Sequence, residues 1–256
     1  MPLKMQIADS YDKPAWRFWL GALPEAEDRF PEDSLIQGGR NQLLRCRFED
    51  TDLMVKRFRN KGAWKKAVYR VFPGKAKRSY SNSQRLNQVG LNSPKPIAWV
   101  ESWEGAWLNE SYYVCHFTPF EHEARELHRT ELPQRVEKAR LLGRSLAKMH
   151  ASEILHLDLT PGNLLFTNAP CGEWELHIVD NNRMRFGPVS RRAAITSLVQ
   201  ADLPTDLVQP MLEAYAEKSQ ISLQALEAAY DKRRQSYTLK WRIKNATRPW
   251  RRKIGL

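Results

Sequence analysis

The hydrophobic positions change their spacing along the chain. In LLRCRF, Leu44, Cys46 and Phe48 share one face, and in LMVKRF the face of Met54 and Phe58 also holds Lys56. A spacing of two is that of a half-buried strand. The turn-rich runs GGRN (38–41) and EDTD (49–52) punctuate residues 34–58, so the pattern predicts a small antiparallel meander. Lys56, set between two apolar neighbours, is expected to point inward. Residues 77–89 are polar and read as a helix that GLNSPKP (90–96) ends, and IAWV and SYYVC (111–115) read as two further strands.

From Pro133 to Ser152 the spacing lengthens. Val136, Ala139, Leu142, Leu146 and Met149 form an apolar stripe, and Pro133 suits a first helical turn. Beyond residue 188 the segments SRRAAITSLVQ, PTDLVQPMLEAYAEK and LQALEAAYDKRRQ are all helical in pattern. The chain is therefore expected to be α+β, with a strand-rich front and a helix-rich back. The divisions are an N-terminal extension (1–33), an antiparallel-sheet lobe (34–117), a mainly helical lobe (118–231) and a basic amphipathic tail (232–256), with a hinge near His116–Glu121.

Length and composition add limits. With 256 residues, 42% hydrophobic and 27% charged, the chain can bury an ordinary core and is neither a disulfide-stapled miniature nor a disordered chain. No apolar run exceeds four residues and the start lacks a signal-like apolar segment, so a cytoplasmic protein without a membrane span is expected. Cys46, Cys115 and Cys171 stand far apart, which suggests neither a disulfide framework nor a thiolate zinc site. His116, His122 and His128 recur every six residues, off any one helical face, and are not read as metal ligands.

Charge changes the picture more. The net charge is +12, yet two blocks carry all of it. Residues 53–100 hold twelve Lys or Arg and no acid, and residues 232–256 hold ten more, again with no acid. The rest of the chain is net acidic. This asymmetry points to a polyanionic partner. The tail interleaves Trp241, Ile243, Trp250 and Ile254 with its cations, the pattern of a segment lying on an anionic membrane. Nucleic acid is the less favoured partner, because no nucleic-acid-binding motif accompanies the charge.

The chemistry is concentrated in HLDLTPGNLL (156–165) and IVD (178–180). LLFT (164–167) and WELHIVD (174–180) flank the turn-rich NAPCGE and should form a hairpin that brings Asn163 beside residues 178–180. An amide and a carboxylate then converge as oxygen ligands of the kind Mg²⁺ takes. Asp158, five residues before Asn163, is placed to orient an alcohol and accept its proton.

These residues resemble a known pattern. HLDLTPGN is similar to the catalytic loop of protein-kinase-like folds, H-x-D-L-x-x-x-N, and IVD to the metal-binding strand end of the same folds. A match of four fixed residues arises by chance in about one chain of this length in a thousand. More narrowly, KAKRSYSNSQRLNQVGLNSPKPIAWVE (75–101), LGRSLAKMHASEILHLDLTPGNLL (142–165) and VDNNRMRF (179–186) resemble the bacterial lipopolysaccharide kinases, the Kdo and heptose kinase family. The resemblance covers roughly residues 34 to 190. It implies a two-lobed protein-kinase-like fold, ATP and Mg²⁺ as cofactors, and transfer of phosphate to a sugar of the lipopolysaccharide inner core. The implied setting is the inner face of the inner membrane, where the protein would be peripheral and meet an acceptor borne on lipid A. By the same resemblance Lys56 is the lysine that meets the nucleotide phosphates, Gly38 and Gly39 form the turn that covers them, Asn163 and Asp180 hold the metal, and Asp158 is the base. His156 then orients the loop backbone.

The pattern departs from that of protein kinases in three places. No acid lies in 53–100 to partner Lys56 from the following helix. Ser79, Asn82, Asp180 and Glu101 all remain candidates for that role. GGRN is poorer in glycine than a G-x-G-x-x-G loop, and Asp180 is followed by Asn181 and Asn182 where protein kinases have Phe-Gly. Two other readings stand beside the sugar kinase: a kinase-like enzyme acting on a protein or small alcohol, and a catalytically silent kinase-like module that binds an anionic membrane.

Overall fold

A computed structural model describes residues 2–25, 35–37, 41–59, 69, 71–169 and 171–253, without the side chains of 35, 37 and 240–253. Gly38 and Gly39 lie outside the described residues. The chain divides into two compact units, one of residues 1–119 with 177–183, the other of 120–176 with 184–256.

The first unit is built on a six-stranded sheet in the order β1-β5-β6-β4-β3-β2. Its strands are β1 (Leu3–Ile7), β2 (Leu35–Gln37), β3 (Asn41–Phe48), β4 (Thr51–Arg59), β5 (Pro96–Glu104) and β6 (Trp107–His116). All the registers are antiparallel, with Leu44 opposite Val55, Lys56 opposite Tyr113, and Met5 opposite Val100. The period-two pattern separates two apolar layers. Leu44, Leu53, Val55, Val100 and Val114 face one way, packed with Trp16, Leu20 and Leu23. Trp16 and Leu20 belong to α1 (Pro14–Gly21), whose first position is the proline that best suits it. Phe58, Trp99, Tyr113 and Cys115 face the other way, packed with Ala76 and Tyr80 of α2 (Lys75–Gln88).

The sequence leaves open whether the N-terminal extension belongs to the sheet lobe. Its residues 2–25 supply an edge strand of the sheet and the helix that covers one of its faces. Without β1 and α1 the layer around Leu53 and Val55 would lie open to water.

The second unit holds a three-stranded sheet, β10-β9-β7, and a two-stranded one, β11-β8. The strands are β7 (His122–Glu123), β8 (Ile154–His156), β9 (Leu164–Asn168), β10 (Trp174–Ile178) and β11 (Met184–Phe186). β10 crosses the boundary, since the chain enters the first unit at His177. The helices are α3 (Arg135–Ala151), α4 (Arg191–Gln200), α5 (Thr205–Ser219) and α6 (Leu223–Lys253). The segment 232–253 therefore continues α6. Packing of α3 on α5 is close enough at Gly143 that a Cβ there would stand 2.2 Å from the Met211 carbonyl oxygen.

One expected core position is wrong. Val136 is 49% exposed, while Lys138 is fully buried. The helix begins at Arg135 and not at Pro133, after Gln134 in the left-handed region (φ 55°). Lys138 turns its Nζ to the Pro133 carbonyl at 2.7 Å and sits 3.5 Å from the centre of the Trp174 ring. Burial lowers its pKa. A cation satisfied by a carbonyl and an aromatic face can occupy a position that periodicity assigns to an apolar residue.

Candidate active site

Both units hold candidate site residues. In the first, Lys56 extends from the middle of β4 on the layer of Phe58, and its Nζ lies 2.6 Å from Asp180 Oδ1. Both side chains are partly buried. Asp180 follows β10 with φ 58°, a left-handed conformation to which Asp is better suited than most residues. The Asn182 side-chain amide also donates to Asp180 Oδ1.

Asn181, between them, is 3% exposed and tethers this turn. Its Nδ2 lies 3.0 Å from Ser83 Oγ on α2, 2.8 Å from Ser93 Oγ and 3.1 Å from the Ile178 carbonyl. Its own carbonyl accepts from Asn82 Nδ2 at 2.6 Å, and the Tyr113 hydroxyl donates to Ser83 Oγ at 3.1 Å. The Ile178 N–H donates to the Asn92 carbonyl at 2.9 Å, which fixes the end of β10 just before the turn. Where protein kinases carry an apolar side chain after the metal-binding aspartate, this chain uses an amide and a polar helix face.

The open question about Lys56 has an answer. Asp180 is its carboxylate partner. Asn82 is engaged by the Asn181 backbone, and Ser79 Oγ makes no hydrogen bond among the described residues. Glu101 lies beside Gly74 at the start of α2, so close that a Cβ at 74 would stand 2.2 Å from its Oε1. Burial raises the Glu101 carboxyl above its ordinary pKa, against the pull of Lys77 and Lys4.

In the second unit the HLDLTPGN motif forms the end of β8, a loop and the 3-10 turn Pro161–Asn163. His156 is 1% exposed, opposite Met184 of β11, and its Nδ1 accepts the Asp158 N–H at 3.1 Å. The imidazole is thus engaged with the loop backbone. The Asp158 carbonyl accepts the Thr160 N–H and Asn163 Nδ2, each at 2.9 Å. Leu159 and Leu164, fully buried, anchor the loop on either side. At Gly162 the loop admits the Arg125 guanidinium, since a Cβ there would be 2.1 Å from Arg125 Nη2. Arg125, a position that no motif marks, is also ion-paired with Glu123.

Each unit holds an oxygen donor of the kind a hard divalent cation takes: in the second, Asn163 uses Nδ2 within the loop and keeps an amide oxygen, and in the first Asp180 is a carboxylate that accepts from Lys56. Lys56 and Asp180 lie together in the first unit, and Asp158 and Asn163 in the second. Sequence reasoning passed over Lys75, the first residue of α2. Its Nζ lies 5.5 Å from the centre of the Phe58 ring, as does that of Lys56. The only sequence signal for it is its place directly after Gly74.

No protein-family model and no curated protein sequence matches the chain. Its structure aligns with that of WaaP in complex with acyl carrier protein at a TM-score of 0.60, over 91% of this chain and 98% of that one, with 16% identity. The fold is that of WaaP. Along this chain the parts run as the Lys56 strand, a helix, the sheet's last strands, a long helix, the HLDLTPGN segment and a hairpin followed by Asp180. The bifunctional kinase-methyltransferase WbdD aligns more distantly, at a TM-score of 0.45 and 15% identity, over 77% of this chain and 43% of its own.

Proposed function

We propose that the chain is a Mg-ATP-dependent kinase that phosphorylates a sugar hydroxyl, of Kdo or heptose, in the lipopolysaccharide inner core. The observation that carries the reading is the Lys56–Asp180 pair, a lysine and a carboxylate 124 residues apart brought to 2.6 Å in a chain that also holds the HLDLTPGN loop. A lysine with a carboxylate partner also weakens the reading of a silent module, whose best support was the missing helix glutamate.

In this proposal Lys56 positions the nucleotide's α and β phosphates and Lys75 adds a second positive charge from the start of α2. Asp180 and Asn163 would hold Mg²⁺, which would neutralise the phosphate charge. Asp158 orients the acceptor hydroxyl and takes its proton as the new O–P bond forms and the bond to the leaving ADP breaks. His156 keeps the Asp158 backbone in register through its Nδ1. The phosphoryl transition state is loose, so positioning and charge carry most of the acceleration.

The basic stretch of α6 fits an acceptor held in an anionic membrane, with the protein peripheral on its cytoplasmic face. A protein partner is a further possibility to be tested by pull-down, since WaaP itself was solved with acyl carrier protein.

The test is transfer of labelled γ-phosphate from Mg-ATP to purified Kdo-bearing and heptose-bearing core acceptors, beside a soluble sugar alcohol and a protein acceptor. Label on a core acceptor supports the reading and identifies the sugar. Transfer only to the soluble alcohol or the protein would replace it with another acceptor class.

A further inference from the structure

The block 53–100 carries twelve cations and no acid, and phosphate binding by Lys56 and Lys75 uses only two of them. The described end of the connection before α2 is unusual for a soluble surface. Val71 is 80% exposed and Phe72 62% exposed, side by side, with Pro73 exposed after them. Single exposed apolar residues are ordinary, but an adjacent aliphatic and aromatic pair with no apolar cover among the described residues invites a partner.

The surroundings say which partner. Val71 and Phe72 are followed by Gly74, which packs against Leu108 and Glu101. Trp107, next to Leu108 at the start of β6, is 39% exposed. Lys77 on the first turns of α2 and Lys4 on the edge strand β1 are both exposed, with Lys4 Nζ 4.5 Å from the centre of the Trp103 ring. Of the acids on β5, Glu101 beside Gly74 is buried, while Glu104, opposite Trp107 at the strand's far end, is exposed. Around Gly74 the surface therefore presents apolar side chains and lysines, with the carboxylate that touches Gly74 withdrawn from water. An apolar tip in a cationic field complements an anionic bilayer, where the side chains enter the headgroup boundary and the lysines meet phosphate. Among the described residues no helix is long and apolar enough to cross a membrane, so such contact would be peripheral.

We infer that Val71 and Phe72, flanked by Lys77 and Lys4, form a membrane-docking surface on the first unit that inserts into anionic lipid, separate from the basic stretch of α6. The inference rests on the chemistry of this surface and not on the phosphotransfer reading.

The experiment is co-sedimentation of the full chain with vesicles of phosphatidylethanolamine and phosphatidylglycerol, and with vesicles of phosphatidylcholine alone. Wild type should sediment with the anionic vesicles only. The double substitution Val71→Ser, Phe72→Ser should lower the vesicle partition coefficient about tenfold, while leaving the melting temperature and the Mg-ATP thermal shift unchanged. Because the α6 stretch is intact in that variant, the loss belongs to this surface. Lys77→Glu provides an independent variant and should weaken binding and make it collapse at lower salt. Unchanged sedimentation of both variants, or equal binding to neutral vesicles, would overturn the inference. Binding to a single-stranded oligonucleotide that the serine variant weakens as much as vesicle binding would overturn it in favour of nucleic acid. The vesicles carry no sugar acceptor, so failure here and failure of phosphotransfer are separate results.

Discussion

Asp158 and Asn163 are five residues apart and meet through the loop's own backbone, whereas Lys56 and Asp180 are 124 residues apart and meet side chain to side chain. The loop is held by short-range hydrogen bonds, from the Asp158 N–H to His156 and from Thr160 and Asn163 to the Asp158 carbonyl. The Lys56–Asp180 pair depends on β4, α2 and the turn after β10 arriving together, with Asn181 as the tether. A locally held loop tolerates change around it. A cluster assembled from distant segments fails when any one of them shifts.

The largest effect should follow from Asp180→Ala. It removes the proposed metal ligand and leaves Lys56 without its carboxylate, so turnover should fall on the order of 10³-fold or more. Thermal stabilisation by ATP should lose its Mg²⁺ dependence. Persistence of a Mg²⁺-dependent thermal shift in the variant would break the assignment.

Acid and base titration separate the two units. His150, at the end of α3, is 8% exposed, has Nδ1 3.0 Å from the Tyr215 hydroxyl, and burial lowers its pKa to about 4. The native state holds it neutral, so the unfolded chain takes up the proton first as pH falls. The stability it contributes is complete above about pH 6.5 and is lost toward pH 4, up to about 3 kcal/mol. His150→Gln should flatten that part of the urea-midpoint profile. Glu101 in the first unit works with the opposite sign. Its pKa is raised, so the stability linked to its proton is present below the ordinary carboxyl pKa and lost as pH rises through the folded value. Glu101→Gln should therefore raise the urea midpoint at neutral pH, and no rise would contradict this account.

Asn181→Leu should cost about 2 kcal/mol in chemical denaturation, because it takes the Nδ2 donor away from two buried hydroxyls and the Ile178 carbonyl. It should also weaken Mg-ATP binding while preserving the HLDLTPGN loop. Gly162→Ala should cost less, under about 1 kcal/mol, because the atoms it meets are the far end of the flexible Arg125 side chain. A larger loss there than for Asn181→Leu would reverse the comparison.

The same contrast explains what the sequence could disclose. Leu44 and Val55 announce the sheet by alternation, and HLDLTPGN is a contiguous string in which Asp158, Thr160 and Asn163 make hydrogen bonds to partners within five residues. The partner of Lys56 was not legible, because four candidates had the right chemistry and only the path of the chain after Ile178 selects Asp180. Asn181 read as a departure from a kinase signature, and its tethering role appears only once Ser83 and Ser93 stand beside it. The place of residues 2–25 stayed open for a related reason. LKMQI is a short edge strand whose pairing with β5 spans almost a hundred residues, and short apolar segments carry little signal of a distant partner. Lys138 displaced Val136 from the core because a carbonyl and an indole satisfy its charge, which a count of apolar positions cannot register.

The central claim is that the two differently held parts serve one phosphoryl transfer, with Asp158 acting on the acceptor and the Lys56–Asp180 cluster on the nucleotide. The most direct measurement is transfer of γ-phosphate to a lipopolysaccharide core acceptor by wild type and by Asp158→Asn, with Mg-ATP affinity measured on the same samples. The account predicts that the variant binds Mg-ATP as wild type does and transfers on the order of 10² to 10⁴-fold more slowly. Equal transfer by the two proteins would contradict it.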